Sequence, residues 1–294
     1  MIGGVQMRCY PYFPRASGVG RALAGGVLLV LGLAPAPPAQ AWGAEGHRIV
    51  GDVAERLLDA RTRAALRAVA GDQSLADLGL WMDRERNRLR AEWPGSERWH
   101  YDNRPVCAPA AQPEQDCADG NCAARAFDRA LARLADRGAP REERLDALRI
   151  VVHVLADLHQ PLHAADDADR GGNQVEVRIG RRSRPKSLHA AWDVDFVKRA
   201  VRGESEAAFA ERLIAEHRTT QGRLEGGDRA GWELESYELA RSYAYGRLPG
   251  FACGRSPAGV VDLPPAYSDG AAEIVEERLA RAGIRLAALL RRTL

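Results

Sequence analysis

The sequence predicts an all-α protein, a single multi-helix domain with long loops and at most one short β-hairpin. Three observations lead there. Apolar residues recur at three- and four-residue spacing along most of the chain, only one segment alternates, and the remaining stretches are irregular and rich in cysteine. The helical spacing runs through residues 50–58, 64–69, 123–134, 145–158, 192–201, 209–214, 232–248 and 274–290. In residues 174–179, Val175, Val177 and Ile179 alternate with Glu176 and Arg178 after a Gly171-Gly172-Asn173 turn, which predicts the hairpin. Residues 103–121 and 250–265 read as long loops. No repeat, low-complexity tract or linker divides residues 42–294, which are read as one domain.

Residues 1–41 read as a secretory leader. Arg8, Arg15 and Arg21 precede an apolar run over residues 23–33, and Ala39-Gln40-Ala41 supplies the small-residue cleavage site. The apolar run is too short to span a bilayer, so no membrane attachment is expected once the leader is removed. A cut after Ala41 would make Trp42 the amino terminus. Its free amine and carbonyl could chelate a metal, with His47 five residues on. The expected location is a periplasm or the extracellular medium. Of 42 basic side chains against 40 acidic, three lie in the leader, so the remainder is balanced to within one charge. A protein that grips duplex backbone by counterion release is usually clearly basic, so any nucleic-acid binding must rest on a local site. Cys107, Cys117, Cys122 and Cys253 form an even set behind a leader, which reads as disulfides. Three pairings are open. Cys117 with Cys122 would close a small loop, and Cys107 with Cys253 would join the two irregular stretches.

The seven histidines carry the chemistry. His153 and Asp157 are four apart on an apolar helix, so both face one side, a turn apart. Pro161 is expected to end that helix and turn His163 in a different direction. His189 and Asp193 repeat the same spacing on a second predicted helix. His100, Asp83 and His47 complete the candidates. Imidazole and carboxylate without thiolate suit zinc or another borderline divalent ion. Asp77 competes with Asp83. His159 faces away from the His153/Asp157 stripe, and His217 sits in a polar helix without a partner motif, so both are read as non-ligands.

These residues resemble a known family. Trp42-Gly43, Gly46-His47, Trp81-Met82-Asp83, Trp99-His100-Tyr101, the run from His153 through Asp157 to Gln160-Pro161-Leu162-His163, Gly171-Gly172-Asn173 and Leu188-His189 with Trp192-Asp193 follow one another. They do so as in the secreted trinuclear-zinc single-strand-specific nucleases and 3′-nucleotidases of fungi, plants and bacteria. The resemblance spans residues 42–294 and implies a fold shared with zinc-dependent phospholipase C. It implies three zinc ions: one held by Asp83, His100 and His153 with Asp157 bridging, a neighbour held by Trp42, His47 and Asp157, and a third held by His163, His189 and Asp193. Asp157, His153 and Asp83 would form the metal-centred catalytic core, with no protein nucleophile. The family spacing favours Asp83 over Asp77. The resemblance also supports disulfides Cys107–Cys253 and Cys117–Cys122.

The activity implied is hydrolysis of single-stranded DNA, RNA and 3′-nucleotides by zinc-activated water, with cleavage of the P–O3′ bond leaving 5′-phosphates. The expected protein is a monomer whose partner is a single-stranded nucleic acid or nucleotide. Tyr101 is a candidate for stacking a base, against a packing role in the core, and Arg104 for a phosphate contact, against a surface position. The loop after His100 is shorter than in the fungal enzymes and lacks a counterpart to their lysine. Zinc-dependent phospholipase C is the enzyme alternative, although those enzymes close the last site with His-x-x-x-Glu where this chain has Asp193. A secreted zinc-storing protein and a helical interaction module are the non-catalytic alternatives.

Overall fold

A computed structural model describes residues 42–107, 117, 119–255 and 257–294; residues 1–41, expected to be a leader, lie outside the described residues. The α-helices are α1 (Ala44–Arg56), α2 (Ala60–Ala70), α3 (Leu75–Leu78), α4 (Trp81–Arg84), α5 (Arg86–Glu92), α6 (Ala123–Ala135), α7 (Arg141–Asp157), α8 (Leu188–Ala190), α9 (Phe196–Val201), α10 (Glu206–Glu216), α11 (Gln221–Leu224), α12 (Arg229–Leu239) and α13 (Pro265–Thr293). Short side chains set several of the starts. Asp59, Ser74, Ser187, Ser205 and Asp228 each accept a backbone N–H in the first turn of the helix they precede.

Helix α7 lies at the centre. Every residue from Ile150 to Asp157 is buried, as expected of a helix that is apolar all round. It packs on α6, α13, α2, α3, α4 and α1. Glu142 and Glu143 in its first turn complement the helix dipole. The helix stops at Asp157, and residues Pro161–His163 make one 3-10 turn, as the proline predicts. The long closing helix α13 runs beside α1 and α9. Two glycines permit the closest approaches. A Cβ on Gly283 of α13 would lie 2.4 Å from a methyl of Val53 in α1, and one on Gly51 would lie 2.5 Å from the backbone nitrogen of Ala76 in α3.

All eight predicted helical stretches are found, and two of them change geometry midway. Residues 192–201 divide into a wide π-helical turn (Ala191–Asp195) and α9, and residues 232–248 into α12 and a second π turn (Ala240–Tyr245). Helices α3, α4, α5 and α11 are at most two turns long and leave no periodicity to read. The alternating segment does form a hairpin strand, but the reversal lies at 180–183 after it rather than at Gly171-Gly172-Asn173 before it: β3 (Glu176–Ile179) pairs antiparallel with β4 (Lys186–Ser187), Val177 opposite Lys186. It also gains a parallel neighbour, β5 (Val261–Leu263), from the second long loop. A separate parallel pair joins β1 (Arg104–Pro105) to β2 (Ala165–Asp166). The disulfides are Cys107–Cys253, across 146 residues, and Cys117–Cys122. Among the described residues, no helix is long and apolar enough to cross a membrane.

Gly283→Ala is expected to destabilise the fold by about 1–3 kcal/mol through overpacking against Val53. Gly222→Ala in α11, where an added Cβ meets nothing within 4 Å, is expected to leave stability unchanged or raise it by under about 1 kcal/mol. Thermal denaturation of the two variants checks the contrast.

Candidate metal centre

The buried end of α7 delivers His153 and Asp157 side by side, with His153 Nε2 3.1 Å from Asp157 Oδ2. Three more imidazoles converge on the same carboxylate. His47 Nε2 from α1 lies 3.3 Å from Oδ1, His100 Nδ1 3.2 Å from Oδ2, and His163 Nδ1 3.8 Å from Oδ1. His47 and His153 stack with ring centroids 4.1 Å apart, and His163 stacks on His189 at 4.9 Å. His189 Nε2 lies 3.3 Å from Asp193 Oδ2 across the π turn. Three sets have ligand atoms within 4.8 Å of one another: His47, Asp83 and His153; His100, His153 and Asp157; and His163, His189 and Asp193. The first two share His153, and Asp157 joins them to the third.

Backbone carbonyls aim the rings. Gly79 O faces His153 Nδ1 at 2.6 Å, His100 O faces His163 Nδ1 at 2.7 Å, and Gly171 O faces His189 Nδ1 at 2.6 Å. Each of these Nδ1 atoms donates, so each Nε2 points into the cluster, the arrangement that leaves it to a metal once it carries no proton. Gln160 donates from Nε2 to Asp193 Oδ1 at 2.7 Å while its Oε1 accepts from Leu162 N. One side chain therefore fixes both Asp193 and the 3-10 turn that carries His163. A Cβ on Gly171, whose φ is 62°, would lie 2.6 Å from Leu162 O, so a side chain there would displace the turn.

The donor set of the cluster fits a cation. Both ring nitrogens of His47, Asp157 Oδ1, His163 Nε2 and Asp193 Oδ2 are buried without a hydrogen-bond partner. An unmet buried polar atom is costly, and five within one cluster of imidazoles and carboxylates fit divalent metal ions. Burial holds His163 down at about 4, against the charge of Asp157, and burial holds His189 at about 3. Burial, followed by His153, also lowers His47. These rings are neutral at neutral pH, as ligands must be. Burial pushes Asp193 well above the usual carboxylate range despite the bond from Gln160. Burial opposes charge on His153 and Asp157 as well, yet their mutual attraction, with bonds from His100 and His153 to Asp157 and the charge of Asp83 on His153, prevails. His153 is held at about 9 and Asp157 well below the ordinary carboxylate value. A divalent ion at this point would replace the proton on His153.

Asp83, His100, His153, Asp157, His163, His189, Asp193 and His47 thus gather in one place. Asp77 does not: it accepts from Ser74 at the start of α3. Trp42 is buried beside the cluster, its indole N–H donating to Ala156 O at 2.8 Å, while Gly43 N donates to Asp193 O at 2.9 Å. His159 and His217 stand outside the cluster. His159 contacts Leu155 O and Arg285, and His217 contacts Leu213 O and Glu277. Tyr101 is half-buried. Arg104 is a correction: its guanidinium is neither on the surface nor free for phosphate, but buried against Glu233 at 2.6 Å. β1 pairing with β2 draws it inward. The aiming carbonyl of Gly79 left no signal in the sequence, whereas Gly171 lies in the Gly171-Gly172-Asn173 motif and Gln160 inside the His153–His163 run.

Zinc is expected to raise the melting temperature of metal-depleted protein at pH 7.5. Without metal, His163 and His189 have folded-state values below the ordinary 6.5, so the unfolded chain binds more protons between that value and about 4. Their stabilising contribution is full above pH 6.5 and lost on acidification, on the order of 1 kcal/mol per pH unit per ring; two raised groups oppose it, Asp193 across the range and His153 only as pH rises past 6.5. The metal-depleted protein is therefore expected to melt at lower temperature at pH 5 than at pH 7, as calorimetry with chelator would register.

The profile of the S1/P1 Nuclease family matches residues 42–294. Endonuclease 2 of Arabidopsis thaliana is 30% identical over 285 residues, covering 90% of this chain and 95% of the relative. Nuclease S1 of Aspergillus oryzae is 27% identical over 267 residues, covering 85% and 90%, and Nuclease P1 of Penicillium citrinum 26% over 268 residues, covering 84% and 95%. With the match running from Trp42 through every gathered histidine and aspartate to the end of α13, the chain belongs to the S1/P1 nuclease family.

Proposed function

We propose that the protein is a zinc-dependent nuclease that hydrolyses single-stranded DNA and RNA, and the ester of 3′-nucleotides, leaving 5′-phosphates. The observation that carries this is the cluster of buried, unmatched imidazole and carboxylate atoms around Asp157 in a member of a nuclease family. Asp83, His100, His153 and Asp157 would hold one zinc, Trp42, His47 and Asp157 a second, and His163, His189 and Asp193 a third. Bound zinc supplies Lewis acidity for activating water and for neutralising phosphate. The chain's own part is to keep His47, His163 and His189 neutral, to present Asp157 between two ligand groups, and to hold Asp193 through Gln160. No serine or cysteine nucleophile is required. Tyr101, half-buried and next to His100, would stack a base of a flexible strand.

Removal of residues 1–41 would free the Trp42 amine, and the buried indole and the Gly43 bond hold that residue against Ala156 and Asp193. Export to a periplasm or the medium agrees with both disulfides. The enzyme would act as a monomer.

Digestion of denatured DNA and RNA by protein beginning at Trp42 is expected to be abolished by chelator and restored by zinc, with 5′-phosphates at the new ends. Duplex DNA and a choline phospholipid serve as controls, and phospholipid cleavage without nucleic-acid cleavage would overturn the assignment. A single extra residue ahead of Trp42 is expected to lower activity by about two orders of magnitude. Full activity of the extended protein would remove Trp42 from the ligand set.

A further inference from the structure

Arg181, Arg182 and Arg184 crowd the turn of the β3–β4 hairpin, and all three are exposed. Gly180, at φ 77°, reverses the chain, and Ser183 donates to Gly180 O from both its backbone nitrogen and its hydroxyl at 3.1 Å. Arg181 and Arg182 therefore occupy the two central positions of a closed turn. Elsewhere many arginines are matched by acids, as in Arg48 with Glu206, Arg56 with Glu211, Arg178 with Asp262 and Arg212 with Glu276. The three turn arginines make no ion pair among the described residues, and no other stretch of four described residues holds three such cations. On a surface balanced in charge overall, this is a concentrated positive point.

The other end of the hairpin is built into the metal centre. Leu188 N donates to Val175 O at 2.8 Å, His189 N to Gly172 O at 3.3 Å, and His189 Nδ1 bonds Gly171 O. Lys186, at the base, is held by Asp195 at 2.6 and 2.7 Å, which ties β4 to the π turn carrying Asp193. The tip thus stands on a fixed arm roughly 15–20 Å from His189, by the rise of extended chain.

We propose that Arg181, Arg182 and Arg184 bind the backbone phosphates of a single-stranded substrate several nucleotides away from the bond being hydrolysed. The contact rests on the nuclease reading of the metal centre. It supplies the local cationic site that the balanced net charge requires of any polymer-binding member, and it favours polymers over mononucleotides, which are too short to reach it.

The test compares the wild-type protein with the triple variant Arg181→Ser, Arg182→Ser, Arg184→Ser, and with the corresponding triple lysine variant. The substrates are denatured DNA and adenosine 3′-monophosphate, assayed with zinc at 20–200 mM salt. Each single-strand phosphate contact contributes about 0.7 to the slope of log affinity against log salt. The serine variant is expected to lose about 2 from the slope of kcat/KM on DNA and roughly tenfold in activity at low salt. Its activity on the mononucleotide should be unchanged, and the lysine variant should retain the polymer activity. An unchanged salt slope on DNA, or a parallel loss on both substrates, overturns the hairpin contact alone. Failure of the wild-type protein to hydrolyse either substrate removes the nuclease reading and this proposal with it.

Discussion

Asp157 is a carboxylate without access to water, at the end of a helix whose last two turns are buried on every side. An isolated charge in such a place is untenable, and the surrounding architecture answers it. Four imidazoles from α1, from the segment before β1, from α7 itself and from the 3-10 turn lie within 3.8 Å of its oxygens. Distant parts of the sequence meet here because this carboxylate requires positive charge and hydrogen bonds that its own helix cannot provide. The apolar body of α7 secures its position, and the imidazoles secure its charge.

The far side of the same helix end is held by a second buried set. Ser236 donates to Leu158 O at 2.6 Å, and Arg278 donates to His159 O at 3.1 Å, to Trp232 O and to Ser236. These bonds satisfy carbonyls left open at a helix C-terminus, and the guanidinium complements the negative end of its dipole. Glu235 accepts from both Arg278 and Arg285, which contains the cost of burying two cations. Burial, together with Arg278 and Arg285, holds His159 well below its ordinary value. It remains neutral, donating to Leu155 O and accepting from Arg285. A histidine two residues from a metal-centre carboxylate is thereby committed to structure by its direction alone.

Much of this was legible in the sequence because it depends on spacing. A four-residue interval on an apolar helix places His153 and Asp157 together whatever surrounds them, and the same interval places His189 near Asp193 even though the helix there widens into a π turn. Pro161 announced the end of α7. The roles of main-chain carbonyls were not legible: nothing marked Gly79, and the Gly171-Gly172-Asn173 motif announced a turn without showing that the Gly171 carbonyl would aim His189. Short helices such as α3 and α4 escaped because four residues are too few to show a period. Arg104 misled because a cation in a loop reads as exposed. Its burial follows from the pairing of β1 with β2 and from Glu233, more than a hundred residues away in the chain.

The Cys107–Cys253 link has a consequence for biogenesis. His47, Asp83 and His100 precede the first of these cysteines, and His153 through Asp193 fall between the two. α13, which packs on α1, follows the second. If the chain crosses a membrane from its amino end, as proposed above, these ligands and Trp42 would emerge long before their partners, and the ring would close only after residue 253 had crossed. Early thiols and imidazoles would then be free to meet metal or oxidant in the wrong combination. That order of delivery would make correct oxidation and correct metal loading late, linked events, completed when the last helix arrives.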